Sequence, residues 1–218
     1  MKTILLFLLE GYADWEAGYI SAKLNKPDLG FQIQTMSLED FNVRSQGNFS
    51  VNIDYKVDTF NDIKNLAALI FIGGTGWGNK RLIRGYDPLN YDYTSSQKIT
   101  NLISACLNKA EILIAGICDG ATFLADNGFL DKITHTGNSL SHLKEKAPEY
   151  RGENFFKETQ AVYDQKIITA NASAPLEFTH QLLKQLQMLE DKEADQWYQT
   201  YKTGFYEYSI ENFGAKKS

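Results

Sequence analysis

Ile112-Leu113-Ile114-Ala115-Gly116-Ile117-Cys118-Asp119-Gly120-Ala121-Thr122-Phe123-Leu124-Ala125 is the stretch on which the reading of this chain turns. Ile112 to Gly116 is a continuous apolar run, as a parallel strand buried on both faces requires. A short helix is expected from about Asp119 to Asn127. Between them, Gly116-Ile117-Cys118-Asp119-Gly120 has the spacing glycine, any residue, nucleophile, any residue, glycine. A sharp turn there strains the backbone of the central residue, and the glycines let neighbouring chain approach without a Cβ clash. The helix that begins at the turn is expected to favour a thiolate through its amide dipoles and to offer its first free N–H to an oxyanion. Cys118 is therefore the candidate nucleophile.

Outward from this stretch the same alternation recurs. Thr3 to Leu9 and Leu66 to Ile72 are further solid apolar runs, and Phe31 to Ser37 alternates like a strand. Helices are predicted from about Trp15 to Leu24 with Asp14 as cap, from Ser95 or Ser96 to about Asn108, from Ala174 to about Glu190, and from about Glu193 to Tyr208. A short strand or hairpin is expected within residues 40–57, a polar loop from Gly76 to about Tyr93, and a possible strand from Lys132 to Thr136. A hairpin through Ala161 to Thr169 is expected to turn at Asp164-Gln165. Strands alternating with helices predict an α/β fold: an open, mostly parallel sheet with helices on both faces.

The 218 residues fit a domain over about 1–190 and a C-terminal helical extension over 191–218. In that extension Trp197, Tyr201, Phe205 and Tyr208 repeat at helical spacing, widened by Tyr198 and Tyr206. Such an aromatic stripe is expected to pack on the domain or across a homodimer, with a pocket lid as a lesser alternative.

A net charge of −5 argues against a nucleic-acid partner. The basic end, Ala215-Lys216-Lys217-Ser218, reads as a frayed tail. Glu10, Asp14 and Glu16 follow the first apolar run at once, without a cleavage site, and no stretch is long enough for a bilayer. A cytoplasmic protein with no membrane partner is expected. Two cysteines in so long a chain predict no disulfide framework. Cys106 shares the inward stripe of its helix with Ile99 and Ile103 and reads as a small core residue. His135, His142 and His180 lack metal-site spacing, so no metal and no cofactor is expected.

Three further positions are candidates for the chemistry. Gly73-Gly74-Thr75-Gly76 closes a central strand, where ligand crevices of open α/β sheets lie. Gly74 and Thr75 are candidates to bring backbone N–H groups to a substrate oxygen. Glu16 lies in the first turn of the first helix. Its plain role is to complement the helix dipole. Its chemical alternative is a carboxyl aimed at Cys118, holding a proton because two adjacent anions repel.

Leu-Leu-Glu-Gly-Tyr-Ala-Asp-Trp-Glu16, Phe-Ile-Gly-Gly74, Ala-Gly-Ile-Cys118-Asp-Gly-Ala-Thr-Phe-Leu-Ala125 and Ala174-Pro-Leu-Glu-Phe178 together resemble the ThiJ/PfpI superfamily over roughly residues 1 to 190. The resemblance implies a flavodoxin-like, class I glutamine amidotransferase-like fold. It implies Cys118 as nucleophile, Glu16 as its partner carboxyl, and amides near Gly74 and Asp119 as the oxyanion site. The protease-like branch carries a histidine directly after the cysteine, where this chain has Asp119. An anion cannot replace imidazole in the same way, which argues against efficient proteolysis. His135 falls about where another branch has an active-site histidine. One residue of register decides its face, and its alternative is a structural surface histidine. His142 and His180 read as loop and helix-surface residues.

Two functions remain open at this point. One is a cofactor-independent cysteine enzyme acting on a small carbonyl or amide substrate, as a glyoxalase or deglycase or as a hydrolase or amidotransferase. The other is a non-catalytic, redox-responsive stress protein sensing through oxidation of Cys118.

Overall fold

A computed structural model describes residues 1–38, 42–109 and 111–214. The tail read as frayed, 215–218, lies outside the described residues. Nine strands and eight α-helices are found among the described residues. The apolar runs form β1 (Lys2–Phe7), β2 (Phe31–Ser37), β6 (Leu66–Phe71) and β7 (Leu113–Ile117). With β5 (Tyr55–Lys56), β8 (Ala161–Asp164) and β9 (Ile167–Ala170) they make a seven-stranded sheet in the order β5-β2-β1-β6-β7-β9-β8. All pairs are parallel except β8 with β9. A separate hairpin pairs β3 (Val43–Arg44) with β4 (Ser50–Val51).

Side chains alternate across this sheet, so each strand feeds two cores. Leu5, Phe7, Leu69, Phe71 and Ile114 face α3 (Tyr93–Leu107) and α4 (Asp119–Asp126). Ile4, Leu6, Ile70 and Ala115 face α1 (Asp14–Leu24), α6 (Pro175–Gln185) and α7 (Asp191–Thr203). The chain leaves β1 toward β2 on one side and reaches β6 on the other. That reversal opens a crevice at the carboxyl ends of β1, β6 and β7.

Several local readings are corrected, mostly where a tertiary contact outbids a local one. Ala13, not Asp14, caps α1, because the Asp14 carboxylate accepts from Gly47 N at 2.7 Å. Asp92, rather than Ser95 or Ser96, caps α3 by accepting from Ser95 N. The loop after Gly76 begins as a short helix, α2 (Gly76–Asn79). Lys132 to Thr136 contributes only a bridge from His135 to Phe156. Gln165 and Lys166, both at positive φ, turn the β8–β9 hairpin. α6 stops at Gln185, two residues before Gln187 takes a positive φ.

The expected single aromatic helix at the C-terminus is two helices. Gly204, at φ 95°, separates α7 from α8 (Phe205–Phe213). The break splits the stripe. Trp197 and Tyr201 lie edge-on to Tyr19 of α1, with ring centroids 6.1 and 5.6 Å away. Phe205 and Tyr206, past the break, are exposed.

Candidate functional site

Cys118 sits between β7 and α4 with φ 55° and ψ −124°, a conformation non-glycine residues rarely adopt. Its own backbone is anchored: its N–H donates to Ala170 O at 3.0 Å, and its carbonyl accepts from Ala121 N and Thr122 N. Gly120 is required beside it, because a Cβ there would overlap the Phe71 carbonyl. Beneath the turn, Phe123 of α4 stacks near Trp77, with centroids 5.0 Å apart, and Trp77 donates to Ile72 O.

Glu16 projects from the first turn of α1 into the same space and is fully buried. One carboxyl oxygen, Oε2, accepts from Gly73 N at 2.7 Å. The other, Oε1, has no hydrogen-bond partner among the described residues. Gly73 lies between the two functional groups. A Cβ built on it would stand 2.5 Å from Cys118 Cβ and 2.7 Å from Glu16 Oε2, so only glycine lets carboxyl and thiol share this pocket. Burial pushes the Glu16 carboxyl up to about 7, and the Asp119 charge adds to that. The Gly73 N–H and the Cys118 thiol pull the other way.

The thiol shows that the helix-dipole expectation was incomplete. Burial first, and then the Glu16 and Asp119 charges, push Cys118 up to about 12. Asn138 and the Asp119 N–H act against this. Burial and the two carboxyls thus oppose the thiolate that the start of α4 was expected to favour. Asn138 Nδ2 donates to Cys118 Sγ at 3.4 Å.

The amides expected to hold an oxyanion are only partly available. The Asp119 N–H is turned to the sulfur, and the Gly74 N–H has no partner among the described residues. The Thr75 N–H, by contrast, is committed to Gly11 O at 3.1 Å, because residues 11–13 and 73–75 pair across the strand ends. Thr75 lines the cleft without being an amide donor to it. That cleft holds about 680 Å³ and is bordered by Gln46, Gly74, Arg81, Tyr86, Cys118 and Asp119.

His135 does not enter the site. It is fully buried, with Nδ1 against Ile133 O at 2.8 Å and Nε2 against Tyr150 Oη at 2.6 Å. Burial holds it below the usual imidazole range. It is a core residue, neither an active-site nor a surface one. His180 pairs with Asp195 on α7, as its helix-surface reading allows. His142 is the histidine that comes near. It stands on α5 (Leu140–Lys146), not in a loop, and its Nε2 lies 3.2 Å from Asp119 Oδ1. Tyr86 Oη donates to Asp119 Oδ2 at 2.9 Å. No histidine bonds to Cys118 Sγ among the described residues.

Sequence reasoning missed Gly73, Tyr86, Asn138 and His142. Gly73 stood within a quoted motif, yet its role depends on two side chains from other elements. Tyr86, Asn138 and His142 come from segments whose only local signal is polarity.

The geometry can now be set beside known proteins. The DJ-1/PfpI family model matches residues 2–185, which span β1 through α6 and include Glu16, Gly73 and Cys118. The chain belongs to the DJ-1/PfpI family. It is 31% identical over 208 residues to a Bacillus subtilis (strain 168) protein named as an uncharacterized protease, YdeA, covering 95% of each chain. A second protein of that strain, the uncharacterized protease YoaZ, is 29% identical over 216 residues, with 96% and 95% covered. Among solved structures, a thiJ/pfpI family protein from Bacillus anthracis superposes with a TM-score of 0.81 at 29% identity, covering 96% of this chain and 95% of its own. The DJ-1 superfamily protein Atu0886 from Agrobacterium tumefaciens gives 0.76 at 28% identity, with 93% and 98% covered. The α/β fold with its mostly parallel sheet is that of these DJ-1/PfpI proteins. No helix among the described residues is long and apolar enough to cross a membrane.

Proposed function

We propose that this DJ-1/PfpI protein is a cofactor-independent cysteine enzyme that adds its Cys118 thiol to the carbonyl of a small aldehyde. The observation that carries this reading is Glu16: a fully buried carboxyl poised at about 7 beside the thiol, with Oε1 unpartnered among the described residues. A group balanced near neutrality can both take and return a proton. Ionised Glu16 removes the thiol proton as sulfur attacks. The S–C bond forms and the carbonyl π pair moves to oxygen, toward the Gly74 and Asp119 N–H groups. Glu16 then returns its proton to that oxygen, giving a neutral hemithioacetal. No charge accumulates in the buried pocket at the end of the step.

The relatives named as proteases favour a hydrolase-like assignment. Amide hydrolysis would need Glu16 to protonate the departing amine as well, since no histidine bonds to Cys118 Sγ among the described residues and His142 pairs with Asp119. Redox sensing through oxidation of Cys118 is the second reading, and burial and the two carboxyls oppose the thiolate that oxidation requires.

The test is turnover of small 2-oxoaldehydes against a chromogenic peptide amide, using the wild type and Cys118→Ser. Aldehyde consumption that Cys118→Ser abolishes is expected. Peptide cleavage without aldehyde consumption would replace this reading by a hydrolase.

A further inference from the structure

The sulfur of Cys118 must become anionic at some point in any nucleophilic attack, yet its surroundings oppose that charge. Glu16 and Asp119 both raise it, and its burial raises it further. Among the described residues two groups act the other way: the Asp119 N–H, which the turn supplies automatically, and the Asn138 side chain.

The orientation of Asn138 is dictated by its other end. Ala172 N donates to Asn138 Oδ1 at 2.9 Å. A backbone N–H can only donate, so the oxygen of the amide must face Ala172 and its NH2 must face the sulfur. Ala172 is itself fastened to the helix that carries Glu16, because Trp15 Nε1 donates to Ala172 O at 3.1 Å. The loop bearing Asn138 is pinned on both sides. Thr136 N donates to Thr169 Oγ1 on β9, and Ser139 Oγ accepts from His142 N at the start of α5. The proton acceptor and the amide donor are thus both referred to one residue between β9 and α6.

We propose that Asn138 is a further catalytic residue of this site, donating to Cys118 Sγ through an amide that Ala172 holds in register, and stabilising the sulfur as it becomes anionic. This rests on the reading of Cys118 as nucleophile. Asn138 supplies no proton and breaks no bond. It offers a dipole where negative charge appears, and a hydrogen bond to an ionised group is stronger than one to a neutral group. Asp119 N–H alone would leave two carboxyls facing one donor.

Asn138→Asp separates this role from folding. The carboxylate keeps an acceptor for Ala172 N but loses the donor to sulfur. The measurement is the rate of Cys118 alkylation by iodoacetamide against pH, with the labelled residue read by peptide mass, together with thiolate absorbance in the ultraviolet. Asn138→Ala is expected to slow alkylation at pH 8 by about tenfold, and Asn138→Asp by more, since it adds a negative charge. Both should move the thiolate absorbance to higher pH and lower aldehyde turnover. If Asn138→Asp alkylates and titrates like the wild type while Cys118→Ser is inactive, the proposal fails and the nucleophile stands. If Asn138→Asp behaves as expected but Cys118→Ser retains turnover, the thiolate contact stands, while the nucleophile reading and Asn138's catalytic role both fall.

Discussion

The two cysteines of this chain lie 12 residues apart and are both pushed up, Cys106 to about 11 and Cys118 to about 12. Judged by that number they are equally inert. Their surroundings differ in kind. Cys106 is fully buried on α3 among Ile99, Ile103 and other apolar side chains, and burial alone raises it. Among the described residues no charged group shifts it. Cys118 is half-buried at the mouth of a cleft, and part of its elevation comes from carboxyls. Glu16, balanced at about 7, can gain or lose its proton in response to the sulfur. Burial is a fixed penalty, whereas a neighbouring titratable group is a partner. A raised thiol is thus compatible with reactivity only where the cause is itself mobile.

The largest expected effect tests that contrast directly. Cys118→Ser should lower aldehyde turnover by about 10⁵-fold or more, as removal of a nucleophile does elsewhere. Cys106→Ser should leave turnover within about twofold. Its cost should appear instead in thermal unfolding, as an unpartnered hydroxyl in an apolar core. Equal losses of turnover in the two variants would end the distinction.

Glu16→Gln sharpens the comparison, because its two readouts should move in opposite directions. Turnover should fall by about 10³-fold, since the proton acceptor is gone. Alkylation of Cys118 above pH 8 should rise about fivefold, since a charge that opposed the thiolate has been removed. Cys106 should not respond in either assay. If Cys118 alkylation fell along with turnover, Glu16 would be a structural support rather than a proton carrier.

How much of this was legible in advance follows the range of the interactions. β1, β6 and β7 are solid apolar runs, and they stood out because a strand buried on both faces leaves no polar position. The elbow was legible because Gly116, Cys118 and Gly120 carry the turn's demands within five residues. Asp14 was misread because its carboxylate has a better partner 33 positions away in Gly47. The C-terminal stripe looked continuous because its spacing says nothing about Gly204 taking φ 95°. At the site, Glu16 was visible beside its motif. Asn138 and His142 were not, because their partners, Cys118 and Asp119, lie 20 and 23 positions away on another element. His135, buried rather than at the site or the surface, and His142, on a helix rather than in a loop, depart from expectation for the same reason. A ring finds its partners through the fold, and spacing alone did not separate Tyr150 from Asp119.

Glu16 also predicts a pH dependence of stability in the acid-to-neutral range, whereas the raised Cys106 acts on stability only as pH rises from about 9. The Glu16 carboxyl titrates from about 4.5 when unfolded to about 7 when folded. Between these values the unfolded chain has released this proton and the folded chain still holds it. The unfolded state then binds fewer protons, so stability is lost as pH rises through this window. The gap corresponds to about 3 kcal/mol in all. Denaturant unfolding of the wild type at pH 4.5, 6 and 8, set against Glu16→Gln, should show the variant gaining on the wild type by about that amount. Parallel curves would mean the buried carboxyl is not held neutral.

The smallest effect concerns Asp119, the second charge that raises Cys118. Its carboxylate is shared between Tyr86 Oη and His142 Nε2, with Thr122 Oγ1 at 3.4 Å. Each donor draws negative charge away from the sulfur. Tyr86→Phe removes the shorter of these contacts while keeping the ring. Asp119 should then act on the thiol more strongly, and Cys118 alkylation at pH 8 should slow about threefold. His142→Gln retains a donor and should change the rate by less than about twofold. Cys106, fully buried on α3 and raised by burial alone, should be unmoved by both. A rate that rises in Tyr86→Phe would show that the tyrosine restrains the thiol by covering it, and the difference between the two cysteines would then rest on Glu16 and Asn138 alone.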